Sequence, residues 1–228
     1  MAESIRDRLA CVQERIRAAT SRVGRNGPSV RLVAVSKTMP VEVIRQALDA
    51  GITTLGENRV QEANAKISLL PGLAAWHLVG HLQTNKAKLA VQLFEMIHSL
   101  DSLKLAQELD RQGRQSRTVV RCLIEVNLGA EESKSGTTEK EVRSLLEGAR
   151  HLPNLRIEGL MTIPPYLADA EGVRPFFRRL RNVRDTLEGE GWRLPELSMG
   201  MTHDFEVAIE EGATLVRIGT AIFGVRPA

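Results

Sequence analysis

Apolar residues recur at intervals of four and three near the start of the chain, at Ile5, Leu9, Val12, Ile16, Ala19 and Val23. That is the period of a helix with one apolar face, and the run Gly24 to Pro28 breaks it, so residues 1–24 are expected to form a helix packed on whatever follows. The pattern then changes. Residues 30–36 (VRLVAVS) are rich in β-branched side chains, and Pro40 opens a helical stretch over 41–50 that Gly51 ends. The same alternation predicts strands over 53–55, 75–79, 96–99, 119–126, 156–161, 196–199 and 214–218. Helices are expected over 57–70, 85–93, 102–112, 138–151, 171–188 and 203–211.

Eight strands alternating with helices, with no low-complexity linker, fit a closed parallel (β/α)8 barrel, for which ~250 residues is typical. The 228 residues are therefore expected to form one domain, 1–228, with the first helix as an addition to the barrel. A doubly wound open sheet is the alternative. It would place a glycine-rich phosphate loop after the first strand, where this chain has Ser36-Lys37-Thr38-Met39-Pro40.

With 43% hydrophobic and 26% charged residues the chain has the balance of a globular protein, which excludes disorder, collagen and coiled coil. The longest nearly apolar stretch, 71–80, is far short of the ~20 residues of a membrane-spanning helix. No secretory signal is visible at the start, so a cytoplasmic location is expected. Cys11 and Cys122 form no CxxC pair, which argues against a disulfide framework and a zinc site. The net charge of +3 comes with two arginine clusters, Arg6 to Arg25 and Arg174 to Arg184. Both are interleaved with apolar residues at helical spacing and lack aromatics for base stacking, so solvated helix faces are expected rather than a nucleic-acid surface.

In such a barrel the active site lies at the C-terminal ends of the strands, and here those ends are polar. Strand one ends in Lys37, strand two in Gly56-Glu57-Asn58, strand three in Gly80-His81 and strand five in Asn127. Strand six ends in Met161-Thr162, strand seven in Ser198-Met199-Gly200-Met201 and strand eight in Arg217-Ile218-Gly219-Thr220. A lysine projecting from a buried strand into the barrel mouth is desolvated, and the neutral amine is a nucleophile towards aldehydes and ketones. The alternatives are that Lys37 reaches to water or pairs with Glu57. Ser198, Gly200, Gly219 and Thr220, with the helix expected to begin near His203, suit a phosphate dianion. Strands one and eight are adjacent after closure, so one ligand joins both features: a carbonyl compound carrying a phosphate. His77 and His81 straddle a strand and its turn and share no helix face, so no metal site is expected.

The runs 35–38 (VSKT), 56–58 (GEN) with Gln61-Glu62, 76–86 (WHLVGHLQTNK), 159–164 (GLMTIP), 197–201 (LSMGM) and 216–224 (VRIGTAIFG) resemble, in order and spacing, the pyridoxal phosphate homeostasis proteins. The resemblance implies a barrel like the N-terminal domain of alanine racemase and pyridoxal 5′-phosphate (PLP) held as an aldimine on Lys37. It further implies a carrier or buffer of the cofactor without established turnover. Carried over by residue, it places Asn58 and Met161 beside the cofactor ring, and Ser198, Gly200, Gly219 and Thr220 around the phosphate. Met201 joins the cofactor-binding set, and Arg217 stands near the pyridine nitrogen. A guanidinium is always protonated, so the ring nitrogen would stay largely neutral and the ring would be a poor electron sink. Arg59 and Thr202-His203 depart from the family pattern at the rim. The expected partners are PLP and PLP-dependent apo-enzymes, with the chain a monomer.

A second class remains open, that of an enzyme: a PLP-dependent amino-acid racemase, or an aldolase acting on a phosphosugar through the same lysine. Racemisation needs an acid or base on each face of the ring. The chain is expected to lack the separate β domain that supplies the second group in racemases, and its single tyrosine, Tyr166, is expected at the rim.

Overall fold

The computed structural model describes residues 3–26, 29–129 and 135–224. The expected breaker residues Gly27 and Pro28 and the last four residues, 225–228, lie outside them. Helix α1 (Ile5–Arg22) begins at Ser4, whose side chain accepts from the Asp7 N–H while the Asp7 carboxylate accepts from the Ser4 N–H. Two otherwise orphaned donors are thereby satisfied. Ile5, Leu9, Val12, Ile16 and Ala19 are buried as their spacing requires, but Val23 lies past the last turn and is 40% exposed.

Strands β1 (Arg31–Val35), β2 (Thr54–Glu57), β3 (Ala75–Leu78), β4 (Met96–Leu100), β5 (Val120–Glu125), β6 (Leu155–Met161), β7 (Glu196–Ser198) and β8 (Leu215–Ile218) pair in chain order into a closed parallel barrel. Closure runs through Arg31 opposite Leu215 to Ala34 opposite Ile218. The outer ring comprises α2 (Val41–Asp49), α3 (Val60–Leu69), α4 (Ala87–Leu93), α5 (Leu103–Ser116), α6 (Val142–Ala149), α7 (Arg174–Gly189), α8 (Phe205–Glu210) and a short α9 (Thr220–Phe223).

Alternation along the strands divides the core in two. Outward-facing side chains such as Leu55 and Ile97 pack with Ile44, Phe177 and Phe205 of the helices; those on the inner face, Val33, Val79, Met96, Leu123, Met161 and Leu215, form a separate cluster inside the barrel. Removing each large apolar side chain from water contributes roughly 1.5–3 kcal/mol. Gly159 allows β6 to approach β7, because a Cβ there would lie 1.9 Å from the Glu196 carbonyl oxygen.

Three elements differ from expectation. Helix α5 runs through Gly113 to Ser116 instead of stopping before the glycine. Gly113 is a packing position, where a Cβ would meet the carbonyl oxygens of Asn154 and Thr118 at 2.9 Å, and the left-handed Arg117 ends the helix instead. Helix α8 starts at Phe205 rather than near His203, and α9 is an additional turn after β8.

Helix α1 packs on α8 and α9 beside the last barrel unit. Arg8 donates to the Ile222 carbonyl, Arg25 to those of Ile209 and Ala213, and Arg15 and Arg22 pair with Glu206 and Glu210. On α7, Arg174, Arg178 and Arg181 all pair with Glu211. Much of both arginine clusters is thus spent on α8 and its surroundings. Among the described residues no helix is long and apolar enough to cross a membrane.

Candidate active site at the barrel mouth

A cavity of about 490 Å³ opens at the C-terminal ends of the strands. Lys37 lines it from the turn after β1, Asn58 from the end of β2, Met201 from the turn after β7, Arg217 from β8, and Gly219 and Thr220 from the start of α9. Gly80 positions Asn58, for a Cβ at residue 80 would lie 2.4 Å from the Asn58 carbonyl oxygen. Gly219 also borders the cavity, and a Cβ there would stand 3.3 Å from the Val35 carbonyl oxygen, a tight contact.

Ser198, Gly200 and Met161 do not line the cavity. Met161 is fully buried in the cluster inside the barrel. Gly200 has φ 91° and serves packing, since a Cβ would come within 2.6 Å of the Ala208 Cβ. The Ser198 hydroxyl, expected in a phosphate cup, is instead engaged in a buried polar chain. Arg217 donates to Ser198 Oγ at 2.6 Å and to the Thr162 carbonyl at 2.8 Å; Ser198 Oγ lies 2.9 Å from His98 Nδ1, and His98 Nε2 lies 3.0 Å from His77 Nδ1.

A guanidinium only donates, so Ser198 Oγ accepts from Arg217. In the His98–His77 contact one ring nitrogen donates and the other accepts, an arrangement that neutral imidazoles satisfy, and the burial of both rings favours the neutral form. Desolvation, with Arg31 and Arg121 adding repulsion, drives the His77 pKa down to about 3, and His98 is driven well below its ordinary value by burial, His77 and Arg217. Burial lowers Arg217 to about 10, opposed by Asp204 and Glu125, which leaves it cationic at neutral pH.

Sequence reasoning missed a carboxyl group in the cavity. Glu125, the last residue of β5, is 8% exposed and its Oε2 has no hydrogen-bond partner among the described residues. Burial pushes its pKa up to about 7, Asp101 adds to the rise and Arg217 opposes it. Strands β1 and β5 are four apart either way around the ring, so Glu125 stands across the cavity from Lys37. Its signal was the one that marked Lys37, a charged residue ending an apolar run. Tyr166 is at the mouth, 80% exposed, with its ring 5.6 Å from that of His203. Among the described residues no group of three potential metal ligands occurs, and Cys122 is fully buried with its thiol pushed far up by desolvation.

The alternative partner for Lys37 is otherwise engaged. Glu57 Oε1 accepts from Ser36 Oγ at 2.6 Å and from Lys66 Nζ at 2.7 Å. Lys66 also donates to Glu62 and to the Ser36 carbonyl, both at 2.7 Å.

Residues 8–227 match the family model of the alanine racemase N-terminal domain. The pyridoxal phosphate homeostasis protein of Aquifex aeolicus is 50% identical, with 96% of this chain and 97% of that protein covered. Its counterpart in Escherichia coli K12 is 41% identical, with 96% and 95% covered. The structure of PipY from Synechococcus elongatus with PLP bound superposes with a TM-score of 0.83 at 39% identity, covering 93% of this chain and all of that one. Alanine racemase of Clostridium difficile shares the fold at 16% identity, TM-score 0.71, with 58% of its length covered. The chain belongs to the alanine racemase N-terminal domain family, and within it to the pyridoxal phosphate homeostasis proteins.

Proposed function

We propose that this chain binds PLP reversibly in the barrel-mouth cavity, as a cytoplasmic monomer that buffers the cofactor and passes it to PLP-dependent apo-enzymes. The observation that carries the reading is the common cavity: the Lys37 amine, the buried Arg217 cation and the side-chain-free wall at Gly219 all face one space of about 490 Å³. These residues fit the group. When bound, the cofactor supplies an aldehyde able to condense with an amine. Lys37 provides that amine, Thr202, Gly219 and Thr220 border the space for its phosphate, and Asn58 and Met201 border the ring. Arg217, held by Ser198 and the Thr162 carbonyl, presents a fixed cation that cannot act as a counter-anion to a protonated ring nitrogen. The Ser198 hydroxyl and the Gly200 carbonyl hold Arg217 from behind, and Met161 packs in the cluster inside the barrel. The purified protein should absorb in the visible and lose the band on borohydride reduction, with the added mass on the Lys37 peptide. A Lys37→Ala protein that keeps the band would refute the attachment.

A second reading rests on Glu125. A group able to hold a proton near neutral pH across the cavity from Lys37 is the second acid or base that amino-acid racemisation needs. Exchange of the α-proton of L-alanine in deuterated water separates the two. A carrier gives no exchange at enzyme-like rates of roughly 1 per second, whereas an enzyme would give it and lose it in Glu125→Gln.

A further inference from the structure

We infer that Lys66, gripped by Glu57 and Glu62, is a positioning residue that fixes the backbone on both sides of Lys37 so that its amine meets an aldehyde in the cavity. The inference rests on the proposed attachment of PLP to Lys37. The Ser36 carbonyl belongs to the peptide bond entering Lys37, and it accepts from Lys66 Nζ at 2.7 Å. The Thr38 N–H belongs to the peptide bond leaving Lys37, and it donates to Glu62 Oε1 at 2.5 Å. Glu62 Oε1 also accepts from Lys66 Nζ at 2.7 Å, so one ammonium ties both peptide planes to one point. Peptide planes are rigid, and fixing the two that flank a residue fixes its Cα–Cβ direction.

Three further observations single out this cluster. All three Lys66 donors are used, on the Ser36 carbonyl, Glu57 Oε1 and Glu62 Oε1, and the residue is 6% exposed in a helix whose other polar side chains mostly face water. Glu57 is fully buried and Ser36 Oγ adds a second bond to its Oε1, so the carboxylate locks the strand end as well as the ammonium. Thr38 has φ 65°. A β-branched residue there is strained, and such strain persists only where surrounding contacts over-determine it. The strain lies next to the proposed nucleophile, and the contacts that enforce it are those of Glu62 and Lys66.

Condensation of the Lys37 amine with an aldehyde forms a carbon–nitrogen double bond and releases one water, with no oxidant or reductant. Misplacing the amine penalises only that step. The probes are therefore PLP and 4′-deoxypyridoxine 5′-phosphate, which has the same ring and phosphate but no carbonyl, titrated by fluorescence or calorimetry. Lys66→Met should weaken PLP by ~10-fold or more, within the range that small displacements of a reacting group produce. Binding of the deoxy analogue should stay within about twofold, and Lys66→Arg should regain most of the loss for PLP, because it restores a cation with several donors. Equal weakening of both probes, or of neither, overturns the inference. If Lys66→Met fails to fold by circular dichroism, Glu62→Gln, at a partly exposed residue, replaces it: selective weakening of PLP supports the inference, and an equal or absent effect overturns it. A wild type that binds the two probes equally well refutes instead the attachment to Lys37.

Discussion

Replacing Glu125 by glutamine should stabilise the protein in a pH-dependent way. The carboxyl is buried, its Oε2 has no partner among the described residues, and its pKa rises from 4.5 to about 7. A group that binds its proton more tightly when folded favours folding while protonated. The contribution of Glu125 to stability is therefore largest below pH 4.5 and falls until about pH 7, above which the loss is constant. At 1.36 kcal/mol per unit the full loss is roughly 3 kcal/mol. Glutamine mimics the protonated acid and carries no such slope. Urea unfolding of both proteins from pH 5 to pH 8 isolates it, because the histidines contribute equally to each and cancel in the difference. The variant should gain about 2–3 kcal/mol on the wild type across that range. A difference that does not change with pH, or that moves against the variant towards pH 8, would refute the assignment of a buried carboxyl with a raised pKa.

His98→Ala should cost roughly 2–4 kcal/mol by leaving a void and orphaning Ser198 and His77. Because His77 and His98 are held neutral, with His77 at about 3 against 6.5 when unfolded, their stabilisation is present above pH 6.5 and lost as pH falls; the variant's acid unfolding curve should be the shallower. Gly159→Ala should prevent accumulation of folded protein, since its Cβ would overlap the Glu196 carbonyl and strand pairing must part, and soluble yield and melting temperature report this. Gly219→Val should weaken PLP far more than dephosphorylated pyridoxal, and equal weakening would place the phosphate elsewhere.

The eight strands were legible because short, largely apolar runs alternate with segments of helical period, and their order needed only adjacency in the chain. Lys37 was legible for the same reason: a cation that ends an apolar strand has one place to go. Ser198 was not, because a polar residue at a strand end carries the same local signal whether it faces a ligand or its neighbours across the barrel. Its partner is decided by His98, a hundred residues away in the chain. The His77–His98 contact depends on the pairing of β3 with β4, where His77 stands opposite Met96, and on the inward facing of both rings. Lys66 was hidden in a helical pattern. Its spacing from Glu62 reads as an ordinary surface pair four residues apart, and only the approach of α3 to the first strand turns it inward.

The docking of α1 has a consequence for the order in which the protein matures during synthesis. The Arg8 guanidinium bonds to a carbonyl 214 residues further on, and the apolar face of α1 packs on helices from the same late stretch of chain. At translation rates of about 5–20 residues per second, α1 waits some 10–40 seconds before its partners exist. During that interval an amphipathic helix with five buried-to-be apolar side chains and several unpaired arginines is presented to the surroundings of the ribosome. Ring closure between β8 and β1 comes at the same late moment, since both depend on residues beyond 214. Completion of the barrel and capture of α1 are thus one late event, and the nascent chain is open to chaperone contact through α1 until that event is complete.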